Sequence, residues 1–320
     1  MTLLNLSTFG LQIVLPFFLI VWVSYFPAQS RIGLFVQILG TVSVLLALLL
    51  AAVWIIPPWW VPYGYLALLT GKFLWNLPRA GLPVRWLPQD WRGWFPVVSV
   101  GALGIWSATV AVDALNGREP QRDATIVNLD FPLGPSIYLV ASGGASASVN
   151  GHFLTLNPTT ERQSAYRGQS YAVDLIKINR WGLRASGWRP SDPAAYAIFG
   201  EPVFAPCEGE VLSAADGMPD MRVPITDTSR LEGNHVVLKC GDKAVLLAHL
   251  REGSVSVVAG QAVRTGTPLG QVGNSGQSTE PHLHIHTQRL PAGGPVLSGE
   301  PLHLNFEGRF LVRNDRLHIG

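Results

Sequence analysis

Residues 280–288 read EPHLHIHTQ and set His282, His284 and His286 at every second position. In a β-strand successive side chains alternate faces, so three imidazoles at this spacing project the same way. The chain has only eight histidines in 320 residues, and all eight lie from His152 onward. Three on one face of one short segment is how a sheet builds a metal site.

The rest of the chain says where such a site works. Lys plus Arg number 23 against 21 Asp plus Glu, a near balance that gives no support to nucleic-acid binding. The charges are unevenly spread: before Arg118 the charged side chains are Arg31, Lys72, Arg79, Arg85, Asp90, Arg92 and Asp113. The uncharged run FGLQIVLPFFLIVWVSYF (9–26) and the run IGLFVQILGTVSVLLALLLAAVWII (32–56) read as transmembrane helices, the second long enough to cross about 30 Å of hydrocarbon. A third span is expected at about 95–115; its start is richer in Gly and Ser, and a helix buried within a domain is the alternative. Nine of the eleven tryptophans fall at or before Trp106, many beside these runs as in an interfacial belt.

The opening MTLLNLS carries no positive side chain, and no small-residue cleavage site follows the apolar run, so residues 1–115 read as an anchor rather than a cleaved signal. The connection 57–94 holds Lys72, Arg79, Arg85 and Arg92 and is expected on the cytoplasmic side; the turn between the first two spans holds only Arg31. Part of that loop, YGYLALLTGKFLWNL, suits an amphipathic surface helix. Three spans then leave the N-terminus inside and everything after about Asn116 on the periplasmic or extracytoplasmic side of a bacterial inner membrane.

Beyond Asn116 the composition becomes that of an all-β, mainly antiparallel domain. SIYLVA, YAVDLIKI, HVVLKC and AVLLAHL alternate with Gly, Pro, Asn and Asp clusters, the signature of short strands and tight turns. Residues 116–149 read as a linker with the strands that lead into the domain, and 150–320 as the domain itself. Cys207 and Cys240 each sit beside an expected strand. In an oxidising compartment a disulfide between them is expected, worth roughly 3 to 4 kcal/mol; two separate buried thiols are the alternative.

His235, His303 and His318 read as ordinary surface or core histidines, while His282 and His284 recur with two further polar partners, Asp174 in YAVDL and His249 in LLAHL. Taken in order, AHL at 248–250, GNSG at 273–276 and PHLH at 281–284 make this half resemble the lysostaphin-type, or LytM-type, zinc endopeptidases, in a membrane-anchored branch. The likeness extends to GEPVFAPCEGEV and GNHVVLKC, so it spans about 150–288. It implies a compact antiparallel β-fold, the duplicated hybrid motif, with the site in a groove. It also implies a Zn2+ cofactor, cleavage of peptide bonds in bacterial peptidoglycan, Asp174 and His284 as metal ligands, and His249 and His282 as the catalytic pair.

Two departures stand out. Where the family has a histidine four residues before its aspartate, this chain has Ser170. The nearest upstream substitute is His152, 22 positions before Asp174, and a similar Asn-x-His ahead of Tyr-Ala-x-Asp in the membrane-linked branch implies His152 as the third ligand; otherwise His282 or His286 supplies it. His286 also stands where many relatives carry an acidic or polar residue. Two imidazoles and a carboxylate leave tetrahedral zinc an open position for water, the arrangement of a hydrolytic centre. Histidines titrating near neutrality suit proton transfer and oxyanion stabilisation. The second expectation left by Ser170 is a zinc-free domain of the same family that binds and regulates other cell-wall hydrolases.

Overall fold

The computed structural model describes residues 8–26, 28–81, 83–290 and 296–320. It divides into two compact units, Met1–Leu115 and Asn116–Gly320.

The first unit is helical: α1 (Gly10–Tyr25, opening with a π turn), α2 (Arg31–Ala51), α3 (Val61–Ala80) and α4 (Trp91–Asn116). The Ser30 side chain starts α2 by accepting the Gly33 N–H at 3.1 Å, a standard N-cap. The helix stops at Ala51, five residues short of the expected end. Trp54 Nε1 donates to the Leu48 carbonyl at 2.8 Å, and Pro57 with Pro58 supplies no N–H to continue the ladder. Among the described residues α2 and α4 are long and apolar enough to cross a membrane, and α1 is a shorter apolar helix.

The connection 57–94 contains the helix expected at 63–77, extended to Val61–Ala80. α3 lies lengthwise along its neighbours: Tyr65 donates to the Gln12 carbonyl at 2.9 Å, Lys72 reaches the Tyr25 hydroxyl at 3.3 Å, and Ile20, Leu45 and Leu69 form one buried cluster. α1 and α3 therefore run parallel. So do α2 and α4, since Gly33 lies by Val97 and Gly40 by Gly104. A Cβ on Gly104 would stand 2.7 Å from the Gly40 Cα; the two backbones touch there because neither residue has a side chain, the small-residue packing of membrane helices. The result is an up-down-up-down arrangement. Phe17, Phe18, Leu74, Phe95 and Ile105 stay exposed on its outside.

The second unit holds β1 (Ile126–Leu129), β2 (Ser136–Ser142), β3 (Val173–Lys177), β4 (Pro202–Phe204), β5 (Gly209–Ala215), β6 (Asn234–Cys240), β7 (Lys243–Leu250), β8 (Ala262–Val263), β9 (Pro268–Gln271), β10 (Leu283–Arg289), β11 (Pro301–Phe306), β12 (Arg309–Phe310) and β13 (Arg316–Ile319). The main sheet runs β13-β2-β3-β10-β7-β6-β5-β8, with β11 also on β10. Every pairing is antiparallel except β1 with β11. The sequence expectation of a mainly antiparallel fold holds. β1 and β2, read as strands leading into the domain, are members of its sheets.

β10 is flanked by β3 and β7, so the stretch 280–288 runs through the middle of the sheet. Alternation sends Leu283 and Ile285 into the main core with Leu175, Val236, Leu238, Val245 and Leu247. His284 and His286 take the opposite face with Leu246 and Ala248, and both are 2% exposed because that face is covered. Part of the cover is the turn Arg167–Gln169: a side chain on Gly168 would collide with Gln288. Cys207, just ahead of β5, is bonded to Cys240 at the end of β6, their Cα atoms 6.1 Å apart.

Candidate metal centre

Three elements converge on Asp174. It sits in β3 with its Cα directly opposite His284 of β10, so strand register alone brings the second histidine of PHLH to the carboxylate. His284 Nδ1 lies 3.0 Å from Asp174 Oδ1, and His152 Nε2 lies 2.9 Å from Oδ2. One ligand atom from each of His152, Asp174 and His284 falls within 4.8 Å of the other two.

His152 reaches the site from a turn, Gly151–Thr155. Asn150, fully buried, makes that possible. Its Oδ1 accepts the His152 N–H at 3.0 Å, while its Nδ2 donates to the carbonyls of Gly144 and Ala172 at 2.9 and 3.1 Å. One amide thus ties the His152 turn to the chain entering β3. Ser170 is not at the centre. It is fully buried, bonded to the Arg167 carbonyl and to Thr155 Oγ1, and Thr155 in turn bonds the His152 carbonyl. The serine supports the turn that carries His152.

The remaining two imidazoles face the same place. His282 Nε2 is 3.8 Å from Asp174 Oδ1, and the His249 and His282 ring centres are 4.7 Å apart. Strict alternation along β7 would send His249 into the core with Val245 and Leu247. Its backbone instead adopts φ +61°, and the β6–β7 register shifts between Asn234 and Val236. A left-handed non-glycine residue at a bulge costs of order 1–3 kcal/mol and is held only where the surroundings over-determine it. Here the His249 N–H donates to the Glu232 carbonyl at 3.0 Å and Nδ1 lies 2.9 Å from the Ser275 carbonyl. His282 Nδ1 lies 2.9 Å from the Glu280 carbonyl, and Glu280 is clamped by a buried, two-pronged ion pair with Arg184. A carbonyl can only accept, so both rings carry their proton on Nδ1 and present Nε2 to the site.

The electrostatics fit a cation. Burial alone would raise the Asp174 pKa, yet the adjacent His152, His282 and His284 hold it well below the usual carboxylate range. Burial pushes His284 down to about 4 and His249 well below its ordinary value, reinforced for His249 by its neighbouring imidazoles. An ionised Asp174 beside neutral His284 is the protonation state metal binding requires, and the oxygen and nitrogen donors suit zinc. A cavity of about 130 Å³, lined among others by His152, Tyr166, Glu232, His249, His284 and His286, adjoins the group.

His235 and His303 lie elsewhere. The first bonds the Gly233 carbonyl at 2.8 Å, and the second stacks on Tyr171. Asn150, Arg184 and Glu280 were not singled out in the sequence. An Asn two residues before His152 was the available signal for the first; no local pattern links Arg184 to Glu280, 96 positions apart.

Residues 194–297 match the family model described as Peptidase family M23. That match contains His249, His282 and His284, while His152 and Asp174 precede it. Among solved structures, the chain is similar to the antimicrobial peptidase lysostaphin from Staphylococcus simulans (22% identity, 38% of each chain covered, TM-score 0.26). It is also similar to a zinc-containing peptidase from Vibrio cholerae (20% identity, 36% of this chain and 46% of that chain, TM-score 0.23). A third is Helicobacter pylori Csd3 (17% identity, 63% and 41%, TM-score 0.28). The aligned region spans less than half the length of each of these three chains. Residues 194–297 of the C-terminal unit, which carry the ordered AHL, GNSG and PHLH segments, thus match peptidase family M23.

Proposed function

We propose that the chain is a membrane-anchored zinc metalloendopeptidase that hydrolyses peptide bonds in bacterial peptidoglycan. The observation that carries this reading is the convergence of His152 Nε2, the Asp174 carboxylate and His284 Nδ1, with two further imidazoles offering free Nε2 atoms beside them. Zinc held by His152, Asp174 and His284 would supply a Lewis acid for the scissile carbonyl and acidify the attacking water. The protein does the rest. With Nδ1–H fixed on a backbone carbonyl, the Nε2 lone pair of His249 or His282 accepts a proton as the water oxygen adds to the amide carbon. The imidazolium so formed donates to the developing oxyanion or returns the proton to the leaving nitrogen as the C–N bond breaks. His249, kept neutral by burial, starts in the accepting state.

The purified full-length chain is expected to hold about one zinc and to cleave peptide cross-links in isolated peptidoglycan. Chelation should abolish the cleavage and added zinc restore it; chelator-insensitive cleavage would sink the reading. Absence of zinc from the native chain would instead favour the regulator expectation raised by Ser170.

The helical unit supports a membrane anchor with α2 and α4 as spans, and the packing of the shorter α1 and the more polar α3 alongside them is the ground for proposing four crossings in place of three. Arg31, Arg85 and Arg92 belong to the end where α2 and α4 begin, and the Arg31 N–H donates to the Arg85 carbonyl at 2.9 Å. The opposite end holds the uncharged segment 52–60 and the exit at Asn116. The positive-inside bias then puts the cationic end in the cytoplasm and the peptidase unit outside. Cysteines placed at Trp60 and Val84 test this with a membrane-impermeant maleimide, since Cys207 and Cys240 are paired. The Trp60→Cys chain should label in intact cells, and Val84→Cys only after permeabilisation. Protection of both positions would return the topology to three spans with 57–94 inside.

A further inference from the structure

His286 is 2% exposed and takes no part in the steps above. Its ring nevertheless meets the centre: His286 Nδ1 lies 3.0 Å from His284 Nε2. β10 register places the two rings opposite Leu246 and Ala248, which have no polar side-chain atoms to offer either ring. A metal-bound imidazole coordinates through one nitrogen and carries its proton on the other, and whatever accepts that proton fixes the tautomer and the ring plane. His284 Nδ1 lies 3.0 Å from the Asp174 carboxylate and Nε2 lies 3.0 Å from His286 Nδ1. With zinc taken up at Nδ1 beside Asp174, the His284 proton belongs on Nε2, facing His286.

We infer that His286 is a positioning residue: its Nδ1 accepts the Nε2 proton of His284 and holds that ring in the tautomer and orientation that leave Nδ1 free for the metal. The inference rests on the zinc reading of the centre. Nδ1 can accept only if His286 carries its own proton on Nε2, an atom that is buried and meets no hydrogen-bond partner among the described residues. An unmet buried donor costs of order 1–3 kcal/mol. Simple filling of the covered face by a leucine would avoid that cost, so a polar ring here is explained by what its other nitrogen does. The acceptor is also uncharged, so it orients His284 without adding a second anion to the single carboxylate of Asp174.

The test compares His286→Leu, which keeps bulk and removes the acceptor, with His286→Gln and His286→Glu, which restore an acceptor oxygen. Zinc affinity of the full-length chain is measured by competition with a chromophoric chelator, alongside thermal unfolding of the zinc-free protein. The leucine variant should bind zinc about 10- to 100-fold more weakly with zinc-free unfolding unchanged, and Gln or Glu should recover most of that loss. In a His284→Ala background the leucine change should add nothing further, because its effect passes through His284. Wild-type affinity in His286→Leu overturns the inference and leaves the zinc reading intact. Equal weakening in Leu, Gln and Glu with lowered zinc-free stability also overturns it, in favour of packing. A wild-type chain that holds no zinc removes both.

Discussion

Replacing His249 or His282 by alanine is expected to lower turnover on peptidoglycan by about 10²- to 10⁴-fold, the usual worth of a positioned proton-transfer group, while leaving zinc content near one per chain. The reason lies in which nitrogen each ring presents. Both histidines hold Nδ1 on a backbone carbonyl, of Ser275 and Glu280 respectively, at 2.9 Å. His282 Nε2 lies 3.8 Å from Asp174, outside hydrogen-bonding distance of the carboxylate that His152 and His284 engage at 2.9 and 3.0 Å, and the His249 ring lies 4.7 Å from that of His282, centre to centre. Removing both rings together should cost little more than removing one, because groups that act on the same proton are not additive. Metal analysis and single-turnover cleavage of the same preparations check this. A variant that loses zinc would move its histidine into the ligand set.

A loss of more than about 100-fold in zinc affinity, beyond what supporting residues typically cost, is expected for both Asp174→Asn and His152→Ala. Asp174 supplies the only anion of the group, and its isosteric amide keeps the shape while removing the charge that draws the metal. Without His152 the ion retains two protein ligands where a hydrolytic zinc site normally has three. Substitution at His152 also leaves Asn150, Thr155 and Ser170 in place, so the turn that carries it keeps its hydrogen bonds. His235→Ala serves as the control and should bind as wild type, since that ring bonds the Gly233 carbonyl and belongs to no described ligand group. Chelator competition on the three variants decides it. Full-affinity zinc in His152→Ala would hand the third ligand to His282 or His286.

Local pattern carried much of this molecule. Apolar runs with almost no charge, 9–26 and 32–56, read as helices from local sequence, and helices stand there over Gly10–Tyr25 and Arg31–Ala51. HLHIH alternates between faces because a strand has a period of two, and Leu283 and Ile285 indeed enter the core while His284 and His286 share the other face. His152 was legible only through its likeness to a known pattern. What joins it to Asp174 is the Asn150 side chain bonding two segments 22 residues apart in sequence, and no periodicity encodes that bond.

Three features were decided by tertiary structure alone. The first is the course of α3: the sequence marks a helix at 63–77 but lays it on a surface, and its side-by-side packing against α1 and α2 depends on contacts such as Tyr65 with the Gln12 carbonyl. The second is the direction of His249. Its sequence alternation points it into the core, and only the β6–β7 register shift and φ of +61° turn it towards His282. The third is the partnership of His284 and His286. Alternation puts them on one face, but two imidazoles on a solvent-facing strand would each bond water. Covering that face, with the turn Arg167–Gln169 lying against Gln288, leaves His284 Nε2 and His286 Nδ1 facing each other at 3.0 Å. Sequence spacing sets which way side chains point; only the packed fold sets which polar atoms lose water and must therefore find one another.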